Sequence, residues 1–236
     1  MNSSDLNIDR RRDSHGFTLV EMLVVIAIMS ILMTAGAIGL GGMGGKGVSS
    51  GVASAESLFD EARSIAVGQR TRARVLVAKE LNNNPADNLR RIVVASEKLK
   101  EDGTPDTNNW ELTSRGVVLP DQVYFSQTYS QKDQAAGGEI QVMASIPGAK
   151  AAYAGSYYYY EFNAEGICTT PGASFVIGSG VRGLTSSAMK EKPKVTSAGK
   201  RDFGGFIIWR NGRTSVFRSP QQISNEIKSL SPGKEF

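Results

Sequence analysis

The chain has 236 residues, with 27 Lys and Arg against 23 Asp and Glu and 40% hydrophobic residues, which allows one ordinary domain with a buried core, or one domain with an anchor. Cys168 is the only cysteine and His15 the only histidine, so an intramolecular disulfide and a Cys/His zinc site are excluded by counting, and a Ser-His-Asp triad could draw only on His15. The formal charge of +4 is uneven: between positions 178 and 218 nine basic residues (Arg182, Lys190, Lys192, Lys194, Lys200, Arg201, Arg210, Arg213, Arg218) face only Glu191 and Asp202, and the remainder is net acidic.

The first element is the stretch RRRDSHGFTLVEMLVVIAIMSILMTAGAIGL, residues 10–40. As a helix at 1.5 Å per residue, positions 17–40 would extend about 36 Å, enough for a hydrocarbon core of about 30 Å. Arg10, Arg11 and Arg12 precede it and orient that end toward the cytoplasm, with everything after residue 40 outside it. The stretch contains one acid, Glu21, and a carboxylate within a bilayer-length helix costs about 2.5–3.5 kcal/mol on insertion scales. A cleaved secretory signal, with Ala35-Gly36-Ala37 as its end, and a plain single-pass anchor are the rival readings. Both leave Glu21 without a purpose.

GFTLVEMLVVIAIMSIL resembles the class III signal of type IV pilins and type II secretion pseudopilins. The resemblance implies a leader, residues 1–16, removed together with His15 by a prepilin peptidase after Gly16, and N-methylation of the new first residue, Phe17. It also implies a filament-core helix over 17–40, in which Thr18, Leu19, Val20 and Glu21 serve assembly. Glu21 would pair with the terminal ammonium of a neighbouring subunit, so that two buried charges compensate each other. The implied partners are the peptidase, other pilin or pseudopilin subunits and an inner-membrane assembly platform. The implied location is the bacterial inner membrane, single-pass, and then a periplasmic or surface filament.

Next comes GGMGGKGVSSG, residues 41–51. Glycine costs a helix about 1 kcal/mol relative to alanine, and a helix break is expected over 41–53. From 54 to 70 helical periodicity returns, with Ala55, Leu58, Phe59, Ala62, Ile65 and Ala66 on one face and Glu56, Asp60, Glu61 and Arg63 on the other. RARVLVA follows and alternates as a strand. RRIVVAS, GVVLP, QVYFS, EIQVM, YYYYEF, SFVIG, GGFIIW and TSVFR then give a β-rich remainder. In YYYYEF two tyrosines should face the core and two the solvent. Asn211-Gly212 is a two-residue hairpin signal. Ser219, Pro220 and Gln222 form a capping pattern for a closing helix with Ile223, Ile227 and Leu230 on one face. The expected fold is α+β, a long N-terminal helix laid on an antiparallel sheet, with the globular part at 54–236.

A second set of patches, LFDEARSIAVGQRTRARVLV, VVLPDQVYF, YEFNAEGICTTPGASFVI and GGFIIWRNGRTSVFR, resembles in order the GspH/FimT group of minor pseudopilins and minor pilins. In that group an Ala-Arg-x-x-Ala helix end, a Phe-x-x-x-Gly turn and a Gly-Arg hairpin recur.

Other candidates are weighed on chemistry. The basic region 182–218, with Lys192, Lys194, Lys200 and Arg201 and with Phe206, Trp209 and Phe217 for stacking, suits nucleic acid or a surface ligand at a filament tip, against the reading of a solvated hairpin with core-facing aromatics. DGTPDTNNWE carries Asp102, Asp106, Asn108 and Glu111 without the ordered spacing of a calcium loop, and reads as a polar turn. Cys168 reads as a small buried hydrophobe, with inter-chain cross-linking as the alternative. No serine or carboxylate spacing pairs a nucleophile with its base. No catalytic residue, metal ligand or cofactor is assigned, and the expected role is that of a structural subunit rather than an enzyme.

Overall fold

The computed structural model describes residues 19–41, 43–185, 187–196 and 202–236. The chain divides into two units, Met1–Leu40 and Gly41–Phe236. In the first, α1 is Leu19–Gly41. Leu19, Val20, Met22, Leu23, Val24, Val25, Ile26, Ile28 and Met29 are all exposed, from 41% to 82%. Among the described residues no helix is long and apolar enough to cross a membrane; of the spanning helix expected over 17–40, side chains are described only for 19–30.

In the second unit α2 is Met43–Gln69, so the break expected over 41–53 is corrected. Glycines Gly47 and Gly51 sit inside the helix because the sheet comes close there. A Cβ on Gly51 would lie 2.8 Å from Ile177 Cδ1 and 3.2 Å from Leu119 Cδ2, and one on Gly47 3.2 Å from Val123 Cγ2. Packing thus offsets the poor propensity, as it commonly does in proteins. The buried face is Val48, Val52, Ala55, Leu58, Phe59, Ala62 and Ala66. Their i, i+3, i+4, i+7 spacing makes one stripe. Ile65 packs at its margin, partly buried.

The strands are β1 (Ala73–Leu81), β2 (Arg91–Leu99), β3 (Pro105–Leu112), β4 (Val117–Val118), β5 (Val123–Phe125), β6 (Val142–Met143), β7 (Gly155–Phe162), β8 (Ser174–Ser179), β9 (Phe203–Ile208) and β10 (Thr214–Val216). They form two antiparallel sheets. The first has the order β3-β2-β1-β7-β6, with β4 also on β2, and the second β10-β9-β8-β5. The fold is α+β, with α2 packed on both sheets. Phe59 marks the junction: its ring lies 5.1 Å from Tyr160 and 6.3 Å from Phe162 on β7, 5.7 Å from Phe175 on β8 and 5.0 Å from Phe206 on β9.

Both faces of the first sheet are covered. Val75, Val77, Ile92, Val94, Tyr158 and Tyr160 point to the helix side. Leu76, Ala78, Leu81, Val93, Ala95, Trp110, Ile146 and Tyr157 make a second apolar cluster on the other. Consequently Tyr157, Tyr158 and Tyr160 are all buried, where alternation alone predicts two core and two exposed.

Three further expectations are revised. The polar segment holding Asp102, Asp106, Asn108 and Glu111 is not a simple turn: β3 runs through it, paired Glu97↔Trp110 and Ala95↔Leu112. As an edge strand it buries only Trp110 deeply, so its composition hides it. At Asn211-Gly212 the Trp209 N–H donates to the Arg213 carbonyl and the Gly212 N–H to the Trp209 carbonyl. Gly212 has φ +74° and Asn211 is not among the described residues with positive φ. This is a wider turn with one left-handed glycine, since a two-residue turn of the predicted kind needs positive φ at both positions. The closing helix is two 3-10 turns, Pro220–Gln222 and Asn225–Ser229. The Gln222 side chain accepts from the Arg218 N–H and Ser224, not Ser219, caps the second turn. Ile223, Ile227 and Leu230 are nevertheless all buried.

Candidate assembly segment and basic surface

The processing residues Gly16 and Phe17, and Thr18 beside them, lie outside the described residues. Leu19 and Val20 open α1, and Glu21 stands in its first turn, where a carboxylate complements the positive end of the helix dipole. The described side chains after it, 22–30, are exposed. A helix that is apolar all round is one that something else covers.

The basic region 182–218 does not form one cationic face among the described residues. Arg182 is turned inward: its guanidinium donates to the carbonyls of Asn88, Pro85 and Ala86 at 2.9 to 3.4 Å and stacks 5.0 Å from the Tyr124 ring. Burial pulls its pKa down from the usual arginine value. Lys190 bonds Glu80 at 2.7 Å and Lys194 lies 3.9 Å from Glu191. Lys192 lines a pocket on a different side chain set, with Lys79 and Tyr158, and Lys200 and Arg201 are outside the described residues. Phe206 is in the core, Phe217 packs against it, and Trp209 is half exposed with its Nε1–H donating to Ser215. Of the three aromatics, Phe206 is fully buried, Phe217 partly buried and Trp209 the most exposed.

In the segment around β3, Asp102 accepts from the Thr104 N–H and hydroxyl, and Asp106 accepts from Asn109. Their oxygens serve local turns. Cys168 is buried, and burial pushes its thiol pKa up, so it behaves as a hydrophobe and not as an exposed cross-linking group.

Sequence reasoning missed a charged network on the outer face of the first sheet. The register sets Arg74 opposite Glu161, and Arg72 falls beside Glu97, whose N–H bonds the Arg72 carbonyl. Arg74 bonds Glu161 at 2.7 Å while its guanidinium is sandwiched 4.0 Å from both Trp110 and Tyr159. Arg72 forms an ion pair with Glu97, and the Asn108 N–H donates to the same carboxylate at 2.7 Å. For Glu97 burial pushes the pKa up, but the bonds from Arg72 and Asn108 bring it below the usual carboxylate value; Arg72 is raised, chiefly by its bond to Glu97. The available signal was the arginine repeat at 72 and 74, which period-two geometry places on one face.

Three of the four patches of the second resemblance meet in space. Arg63, in the Ala-Arg-x-x-Ala stretch of α2, lies across two glycine turns. A Cβ on Gly166 would stand 3.3 Å from Arg63 Cγ, and one on Gly212 2.7 Å from Arg63 Cδ and 2.6 Å from the Gly166 carbonyl. Both glycines have φ +74°, a conformation open to glycine at no steric cost.

A family model described as the prokaryotic N-terminal methylation motif matches residues 11–37. No curated protein is a significant match. Among solved structures, the type IV minor pilin FimU of Pseudomonas aeruginosa is similar over 72% of this chain and 87% of its own, at 13% identity and a TM-score of 0.32. The N-terminus of the chain thus carries a prokaryotic N-terminal methylation motif, over the stretch that holds Gly16, Phe17 and Glu21.

Proposed function

We propose that the chain is a minor subunit of a type II secretion pseudopilus or a type IV pilus. A prepilin peptidase cuts it after Gly16, Phe17 is methylated, and the subunit enters the filament through its apolar helix. Before assembly it is held single-pass in the bacterial inner membrane, with the residues after 40 outside the cytoplasm, where it meets the assembly platform and the other subunits. The observation that carries this reading is the methylation motif over residues 11–37, which takes in Gly16, Phe17 and Glu21 together. The exposed apolar side chains at the start of α1 support it, since nine large ones are 41% to 82% exposed and burying each is worth about 1.5–3 kcal/mol. Neighbouring helices in a filament core would provide that cover, and Glu21 would there meet the terminal ammonium of the next subunit.

Mass spectrometry of the protein cross-linked in native membranes tests the proposal in one sample. The expected result is an N-methylated Phe17 terminus with pilin or pseudopilin neighbours. An intact Met1 terminus, or a terminus at Ile38, overturns it. Glu21→Ala should still be processed but enter filaments poorly, and incorporation at the unaltered level would sink the charge-pairing account.

A further inference from the structure

The region between β5, β6 and β7 holds a cavity of about 270 Å³ that Tyr158 helps to line. Tyr158 is 4% exposed, and among the described residues its buried hydroxyl has no hydrogen-bond partner. Buried hydroxyls are almost always satisfied, so one left unpaired on a residue that lines a cavity calls for a partner reaching it from the cavity side. The other buried tyrosine hydroxyls on β7 have theirs: Tyr157 donates to the Tyr153 carbonyl and Tyr160 to the Ser174 carbonyl.

The charges around the opening define what would enter. Lys79 lies with its Nζ 5.6 Å from the Tyr158 ring centroid, and Lys192 lines the same cavity. Glu139 also lines it. Burial and then Glu139 push the Tyr158 pKa up to about 12, so the phenol remains a donor at neutral pH. Gln127 and Thr128 add polar lining, over an apolar floor from Phe125 and Ile140. One phenolic donor and two ammonium groups suit an anion with planar acceptor oxygens. The single carboxylate of Glu139 suits a donor group a few bonds away on the same ligand.

The geometry points to a binding site, walled by Tyr158, Lys79, Lys192 and Glu139, for a carboxylate that carries an N–H donor nearby. That chemistry is found in a free acidic amino acid and in an acidic residue of a partner protein. The site goes beyond the filament role and stands independently of it.

The test is isothermal titration of the full chain in detergent micelles with three probes: N-acetylglutamate methylamide, its glutamine counterpart, and free L-glutamate. The glutamate probe should bind about tenfold more tightly than the glutamine probe, as charge-assisted bonds outweigh neutral ones, and should weaken as ionic strength rises. Tyr158→Phe keeps the ring in the core and removes only the unpaired hydroxyl, and Lys79→Gln with Lys192→Gln removes the cations. Each should weaken binding by about fivefold or more, with the thermal transition of the unliganded protein not lowered. Tighter binding of the capped probe supports the site and assigns it to a protein side chain; tighter binding of free glutamate supports it and assigns it to a small molecule. No saturable binding of either glutamate form, equal affinity for the glutamine probe, or unchanged affinity in Tyr158→Phe overturns the proposal.

Discussion

Replacing Phe59 by alanine tests whether one side chain holds α2 to both sheets. Phe59 is fully buried and its ring touches Tyr160, Phe162, Phe175 and Phe206 with centroids 5.0 to 6.3 Å away, all in edge-on geometry. Loss of a core phenylalanine costs about 3–5 kcal/mol through lost transfer energy and the cavity left behind. Each aromatic pair adds about 0.5–1.5 kcal/mol beyond buried area, which places Phe59→Ala at the upper end, about 5 kcal/mol. Phe59→Leu restores most of the volume but none of the edge-on contacts, and should cost about 2 kcal/mol. Urea unfolding of the full chain in micelles, followed by tryptophan fluorescence, measures both. Because Trp110 lies in the second cluster, on the far face of the first sheet, a single transition shared by fluorescence and circular dichroism would also show that the two clusters unfold together. A cost below about 1.5 kcal/mol for Phe59→Ala, or equal costs for Ala and Leu, would refute the reasoning about cavity and rings.

Two further outcomes follow from the buried charge and the buried thiol. Glu97 has a folded pKa below the ordinary carboxylate value, so the stability it contributes is present above its unfolded pKa, near 4.3, and is lost as pH falls through the folded value. Glu97→Gln should therefore cost about 2 kcal/mol at neutral pH, less than the 3–5 of a deep pair because Arg72 is 30% exposed, and the wild-type advantage should fade below about pH 4; an advantage that persists into strong acid would contradict the pairing. Cys168 should react with a thiol reagent only on unfolding, at least about a hundredfold more slowly in the native protein than in denaturant, because its thiol is buried and its pKa raised. Stoichiometric labelling of the native protein within minutes would place the sulfur at the surface.

The N-terminal reading was local and therefore legible. A glycine, an aromatic after it and a glutamate at a set distance into an apolar run are linear features, and the matching motif covers that same stretch. The α2 stripe and most strands were legible for the same reason, since period 3.6 and period 2 are properties of neighbouring residues. What lay beyond reach depended on contacts between distant parts of the chain. Gly47 and Gly51 read as helix breakers until the sheet that comes within 2.8 Å of Gly51 is known. β3 read as a polar turn because an edge strand needs one buried residue, Trp110, and its partner β2 supplies the rest. Four consecutive tyrosines cannot say whether their second face is covered; the cluster around Trp110 and Ile146 decides that. The charge of the 182–218 region is fixed by composition, but where each cation goes is a matter of tertiary partners, and Arg182 buried over three carbonyls is the plainest case. By itself, then, the sequence determined the apolar N-terminal run with its methylation motif, the periods of α2 and of most strands, and the presence of one histidine and one cysteine, because these need only residue identity and spacing. The tertiary structure alone decided which polar groups are satisfied and which are not, because a hydrogen bond such as the one Tyr158 lacks depends on what the fold brings within about 3 Å of it.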